Sequence, residues 1–517
     1  MTQYLLTQTV YWSTGLTILF NLIPVIFAAS KKIICKDSGV SVYLNSLILW
    51  ICLLLSSLTT LLYVGYFAIT DTLPSATTLL AIAQTNVSEG LAYLKDNFSN
   101  FMSLARTSLF LLVLCILLFS VFKLQKSPIS ALYSKIKILF LPLTFILSCF
   151  LIYKTSYNFI TEPFYGLKDG LKSYTDFQRE SGRRAHLFNF SDCKDSGFPG
   201  LYVLVIGESQ NKNHMNAYGY SRKTTPWLTS LTEKSNMVLL EQAFSNHTHT
   251  VPALTYALTA KSQYDSLNLQ NSPSIIELAK CAGFTTYWVS NQVKFGAWDT
   301  PITVISSSAD HQKFINHNMG YTTNTTFFDE RLVDELKKMK ICSEKSLVVV
   351  HLMGSHASYS DRYPKSFNLW GNRKKIDTYD NSVAYTDFVL NQIYLWASKQ
   401  PNFMSLIYLS DHSEAVDKNL SHDASQFDWD MTEIPMFIDF SEDFSRSHPA
   451  LLQALKNNKD KPFTNDMLYD TLISILGIKT SFHNQENDLT SSEYNKRLED
   501  LKTLHGARSF RDYKNEN

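Results

Sequence analysis

The sequence predicts a chain in two parts: a multi-span α-helical membrane domain, followed by an α/β domain with a mostly parallel central sheet. Three observations predict it. Long uncharged apolar runs are confined to the region before Lys154. After Gly200, short continuous apolar runs of strand length recur, and helical patterns lie between them.

Residues 12–29 carry no charge and are rich in Leu, Ile and Phe, as a spanning helix of about 20 residues must be. A secretory signal is the competing reading, but no basic residue precedes Trp12. Further apolar stretches at 42–69, 107–122 and 138–153 bring the count to four spans. The last two are short, and lysines that can snorkel bound them. Lys31, Lys32 and Lys36 fall between the first pair of spans, and Lys123, Lys126, Lys135 and Lys137 between the second pair. Positive loops stay inside, so both chain ends and the 71–100 loop face outward. Leu79, Leu80, Ile82, Leu91 and Leu94 in that loop recur at roughly helical spacing, which suits an interfacial helix. The expected domains are 1–155 in the membrane, 156–199 as a juxtamembrane linker and 200–517 as an extracytoplasmic catalytic domain.

Composition narrows the function. Of the 517 residues, 45% are hydrophobic, and 47 Lys plus Arg stand against 46 Asp plus Glu. That balance lacks the concentrated basic surface a nucleic-acid partner needs. Cys193, Cys281 and Cys342 lie outside the apolar runs and form no CxxC pair, which argues against a cysteine zinc cluster. An oxidising compartment allows one disulfide among the three, with the pairing open.

In the second part the strands are expected at 201–206, 284–289, 346–352, 404–409 and 434–440. Helices are expected at 275–281, 385–397 and 465–476, the last closing at Gly477. In open parallel sheets, functional groups gather beyond the strand C-termini. The first strand runs into Glu208, the third into His351-Leu352-Met353-Gly354-Ser355-His356, and the fourth into Ser410-Asp411-His412. A carboxylate and two histidine-bearing turns there make an N/O ligand set suited to zinc. Taken singly, each has a bland reading as a helix cap, an Asx-turn or a surface histidine. Their coincidence at strand ends favours a metal site. The stretch Ser245-Asn246-His247-Thr248-His249-Thr250-Val251-Pro252 precedes a helical pattern starting near Ala253. It offers hydroxyls as nucleophiles, with a plain N-capping threonine as the alternative.

These residues sit among others in a familiar order: Gly207-Glu208-Ser209, Tyr218-Gly219-Tyr220, Arg222, Thr225-Pro226, Asp361-Arg362-Tyr363-Pro364 and Ser410-Asp411-His412-Ser413-Glu414. Together they resemble the lipid A and lipopolysaccharide-core phosphoethanolamine transferases, inner-membrane members of the alkaline phosphatase/sulfatase superfamily. The resemblance is strongest over 201–440 and is nearest to the core-modifying branch. It implies an alkaline-phosphatase-like fold, one or two Zn2+ ions, and a metal site of Glu208, Asp411 and His412 with Thr250 as nucleophile and fourth ligand. Thr248 is the alternative nucleophile. His356 and His422 would bind substrate phosphate or a second metal, and Asn291 and Lys294 would contact the phosphate. The implied donor is phosphatidylethanolamine, and the implied acceptor is lipopolysaccharide or another envelope molecule. The implied location is a bacterial inner membrane, among membrane lipids, with the catalytic domain in the periplasm. The chain departs from the family at Ser209, often Thr, and Ser413, often Gly. It also lacks cysteines near Thr250 and shows four spans where relatives have five; a fifth between Thr72 and Ala83 would reverse the N-terminal orientation. Rival readings on the same scaffold are a phosphoglycerol transferase, a sulfatase-like hydrolase and a catalytically silent envelope protein. No C/S-x-P-x-R sulfatase context surrounds Thr250.

Overall fold

The computed structural model describes residues 65–70, 78–80, 82, 90, 103–109, 111–112, 115, 162–181, 193–194, 196–293, 301–316, 327–341, 343–418, 420, 422 and 426–516. Most of the four expected spans lies outside the described residues, as do Lys294 and Cys342. Among the described residues, no helix is long and apolar enough to cross a membrane. The chain divides into two compact units, 1–80 with 93–169, and 81–92 with 170–517. In the first, Ser103 Oγ donates to the Ile69 carbonyl at 2.8 Å and ties two helical segments together.

The second unit is built on a seven-stranded sheet. Its strands are β1 (Gly200–Gly207), β2 (Met237–Leu239), β4 (Thr285–Ser290), β5 (His311–Phe314), β6 (Lys345–His351), β7 (Phe403–Ser410) and β8 (Met436–Phe440), while the short β3 (Ala243–Phe244) stands apart from it. The order is β2-β8-β7-β1-β6-β4-β5. Strands β7, β1, β6, β4 and β5 run parallel, whereas β8 is antiparallel to both β7 and β2.

The continuous apolar runs follow from burial on both faces. Along β1, Tyr202, Leu204 and Ile206 enter one core, and Leu201, Val203 and Val205 enter the other. In β6, Leu347 and Val349 face the first core, Val348 and Val350 the second. Side chains alternate with period two, so a strand covered on both sides has no polar position to spare. Burying each such side chain stabilises the fold by about 1.5–3 kcal/mol.

Helix α1 (Thr250–Ala257), α2 (Ile275–Cys281) and α5 (Leu468–Leu476) supply Leu254, Ile276 and Leu472 to the first core. Helix α3 (Glu330–Lys338) and α4 (Lys375–Ala397) supply Leu336, Tyr379 and Val389 to the second. A capping box between Ser274 and Glu277 opens α2. Gly477 closes α5 at φ 68°, a left-handed turn that glycine adopts without strain.

The expected parallel strands each lie within two residues of an observed one, and α2 has the expected bounds. Helix α4 begins ten residues earlier than expected, because Asp377, Asp380 and Asn381 are buried polar residues that break the apolar pattern yet are satisfied by tertiary partners. Helix α5 is preceded by a 3-10 turn, Asn465–Met467, rather than being helical from Asn465.

Candidate metal centre and nucleophile

Register brings the strand ends to one level. Ile206 is opposite His351, Gly207 opposite Ser410, and Ser290 opposite His351. The residues that follow these ends therefore converge over the middle of the sheet. Glu208, Asp411 and His412 are all buried and present ligand atoms within 4.8 Å of one another.

The turn after β1 is strained. Ser209 has φ 57°, which costs a non-glycine residue energy that the surroundings must supply. Its N–H donates to Asp411 Oδ1 at 3.1 Å, its Oγ donates to Glu208 Oε1 at 2.7 Å, and the Tyr379 hydroxyl donates to its carbonyl at 2.7 Å. These bonds hold Glu208 upright between β6 and β7. Gly354, at φ 50°, lies directly against it. A Cβ there would come within 2.6 Å of the Glu208 carbonyl oxygen, so any side chain would displace Glu208.

The donor set fits a divalent cation. His412 Nδ1 donates to the Ser413 carbonyl at 3.1 Å, which leaves Nε2 without its proton. That nitrogen lies 3.4 Å from Glu208 Oε1 and 3.5 Å from Asp411 Oδ2. Asp411 Oδ2 is buried and accepts no hydrogen bond among the described residues. Burial, and then repulsion from Glu208, push the Asp411 carboxyl up to about 7; burial likewise raises Glu208. Two adjacent buried carboxylates beside a neutral imidazole are costly without a cation to share.

Thr250 begins α1, three residues ahead of the expected helix start. Its Oγ1 donates to Glu208 Oε2 at 3.1 Å and lies 3.3 Å from His412 Nε2. Thr250 is half-buried. Thr248 is fully buried, and its hydroxyl contacts His249 Nδ1 at 3.1 Å.

Of the remaining expected residues, His422 stands beside His412, ring centroids 4.5 Å apart, and its Nδ1 contacts Glu414 Oε1 at 3.0 Å. Burial alone would lower the His422 pKa, but the hydrogen bond and charge of Glu414 hold it above the usual range. Among the described residues His356 Nδ1 is buried without a partner, and burial with the nearby Arg362 charge lowers the pKa of this imidazole. Asn291 is differently employed: its Nδ2 donates to Asp329 Oδ1 and to the Phe327 carbonyl, both at 2.8 Å. The neighbouring Gln292, not anticipated, reaches Glu208 Oε2 at 3.3 Å and the Leu352 carbonyl at 2.8 Å.

Asp329 was also missed. It accepts the N–H groups of Met353 and Gly354, both at 2.9 Å, as well as Asn291, and so fixes the turn that packs on Glu208. Its only sequence signal is a place before an acidic helix start. Asp329→Ala leaves the buried Met353 and Gly354 N–H groups unpaired and takes one of two partners from Asn291 Nδ2, and a loss of about 3 kcal/mol is expected in denaturant unfolding, with weaker binding at the candidate metal site.

The sulfatase family model matches residues 201–478, the stretch that carries the sheet and the buried Glu208, Asp411 and His412; the chain belongs to that family. The phosphoethanolamine transferase EptC of Escherichia coli O18:K1:H7 is 27% identical over 359 residues, which cover 65% of this chain and 61% of that protein. The crystal structure of the C-terminal periplasmic domain of E. coli EptC in complex with Zn is 26% identical, with a TM-score of 0.53, over 58% of this chain and 88% of that one. The integral membrane lipooligosaccharide phosphoethanolamine transferase A of Neisseria meningitidis shares the fold at a TM-score of 0.61 and 16% identity, over 93% of this chain and 98% of that one.

Proposed function

We propose that the chain is a membrane-anchored, zinc-dependent phosphoethanolamine transferase that works through a covalent intermediate on Thr250. One observation carries the reading: the only half-buried hydroxyl of the 245–250 stretch contacts both Glu208 and His412. The names of the EptC relatives and the zinc in the related periplasmic domain support it. The match spans 61% of that EptC relative, so donor, acceptor and location remain part of the proposal.

Residues 1–155 are read as the membrane domain, 156–199 as the linker and 200–517 as the periplasmic catalytic domain. The shared fold with an integral membrane relative along most of the chain supports this division. The donor is phosphatidylethanolamine, and the acceptor is lipopolysaccharide or another envelope molecule. Glu208, Asp411, His412 and Thr250 would hold one Zn2+. When bound, the ion supplies positive charge that favours the deprotonated hydroxyl and offsets charge on phosphate oxygens.

The chain's own residues do the rest. The hydroxyl proton of Thr250 points at Glu208 Oε2, so Glu208 is placed to take it as Oγ1 attacks. A P–O bond forms to Thr250 Oγ1 as the bond to glycerol oxygen breaks, and diacylglycerol leaves with a proton. The acceptor oxygen then attacks the same phosphorus as its bond to Thr250 Oγ1 breaks, and the proton given up by the acceptor returns to the Thr250 hydroxyl. His422, oriented by Glu414, and His356 stand ready to bind the other phosphate oxygens.

The test is intact-mass spectrometry of the full-length protein after incubation with phosphatidylethanolamine or phosphatidylglycerol. A phosphoethanolamine adduct from the first lipid alone is the expected result. A phosphoglycerol adduct, or none on zinc-loaded folded protein, would sink the reading.

A further inference from the structure

Two distant segments enclose the stretch that ends at Thr250. From the inside comes Asn465, fully buried. Its Oδ1 accepts the Asn246 N–H at 2.8 Å, and its Nδ2 donates to the Asp411 carbonyl at 2.7 Å, so one side chain ties this stretch to a turn of the site. From the outside comes a hairpin in which Lys502–Thr503 pairs antiparallel with Arg508–Ser509.

The tip of this hairpin is strained. Leu504 and His505 both have φ 52°, and among the other described non-glycine residues only Ser209 and Ser358 share that left-handed region. Ser209 stands in the turn after Glu208 and Ser358 in the turn after His356. Such strain persists only where the surroundings over-determine it. Here the base of the hairpin is anchored by Phe510, whose ring lies 4.6 Å from that of Phe244, and by Gln263, which donates to the Lys502 carbonyl at 2.7 Å and accepts the Gly506 N–H at 3.1 Å.

The tip grips the chain on both sides of Thr250. Before it, Thr503 Oγ1 donates to the Ser245 carbonyl at 2.9 Å, and the His505 N–H donates to the Asn246 carbonyl at 3.2 Å. Beyond it, the His505 ring stacks on Tyr256 of α1, centroids 3.8 Å apart and planes 2° from parallel, and also lies 5.0 Å from the His247 ring. His505 Nε2 is 3.2 Å from the Pro252 carbonyl oxygen, which can only accept, so this nitrogen carries the proton and donates. A hairpin packed on a helix is ordinarily plain support. In this one, the strained residue itself makes both contacts, and the residue they bracket is Thr250, whose Oγ1 lies 3.1 Å from Glu208 Oε2 and 3.3 Å from His412 Nε2. A displacement of about 1 Å at a reacting atom can cost about a hundredfold in rate.

We propose that His505 is a positioning residue for Thr250: it joins the loop before the threonine to the first turn of α1 and so fixes the aim of Oγ1 between Glu208 and His412. The inference rests on the reading of Thr250 as nucleophile and extends it to a segment that never enters the site.

The experiment uses the full-length protein in detergent, loaded with zinc and labelled at its threonine methyls. Adduct mass from phosphatidylethanolamine gives the rate and the half-saturating donor fraction. The Thr250 methyl resonance, assigned by its loss in Thr250→Ala, reports side-chain position without any donor. His505→Ala should slow adduct formation at saturating donor about tenfold or more, leave the half-saturating fraction within about twofold, and shift the Thr250 resonance. His505→Gln, whose amide N–H can reach the Pro252 carbonyl, should recover the rate to within about threefold. His505→Gly relieves the strained backbone and should melt no lower than the alanine variant, yet stay as slow. A rate in His505→Ala within about twofold of wild type, no recovery in His505→Gln, or full recovery in His505→Gly would overturn the proposal and leave the hairpin as support. If wild type forms no adduct, the donor reading fails and the resonance decides alone. A shift in His505→Ala that His505→Gln reverses keeps the positioning role, and an unmoved resonance ends it.

Discussion

On the proposed mechanism, Thr250→Ala should abolish the covalent adduct and slow transfer by about a thousandfold or more, because it removes the proposed nucleophile rather than a contact to it. The variant should fold. Thr250 opens α1 at a half-buried position, and its hydroxyl satisfies no backbone group, so about 1 kcal/mol or less of stability is at stake. Thr248→Ala makes the contrast. That side chain is fully buried and turned to His249, so the adduct should persist. Intact-mass spectrometry of the two variants decides between the threonines. An adduct surviving in Thr250→Ala would move the nucleophile elsewhere.

Removing the proposed metal should have an effect of similar size on turnover, and its pH dependence carries a sign. Asp411 titrates near 7 without a metal, well above the 3.8 of a free carboxyl, because burial and the Glu208 charge oppose its ionisation. Between those values the folded state holds more protons than the unfolded one. The metal-free protein should therefore lose stability as pH rises from about 4 to 7. Zinc needs the deprotonated carboxylates, so its affinity should climb over the same interval and the loaded protein should not share the decline. Thermal unfolding from pH 5 to 8, with chelator and with zinc, measures both. Parallel curves would mean that the carboxylates do not hold the ion. Asp411→Asn removes the titration and should remove the metal with it, flattening the chelated curve.

Much of the fold was legible because two-sided burial writes itself into local sequence. The run at 201–206 reads as a buried parallel strand since alternate residues enter two cores, and no polar residue interrupts it. The antiparallel β2 and the weakly apolar β5, His311–Phe314, carry no such mark and went unread. The site was legible for a related reason. Glu208, Asp411 and His412 directly follow parallel strands, so finding the strands also found the residues beyond them.

Sequence by itself thus determined the parallel core, the chemical types at its strand ends and the choice of two candidate hydroxyls in one short stretch. Tertiary structure alone decided which hydroxyl meets Glu208, that Asn291 bonds to Asp329 while Gln292 reaches Glu208, and that Gly354 is the surface on which Glu208 rests. The reason is physical. A strand's burial is a period-two pattern among neighbours, whereas these contacts join groups 42 and 84 residues apart in the chain, and no local periodicity encodes them.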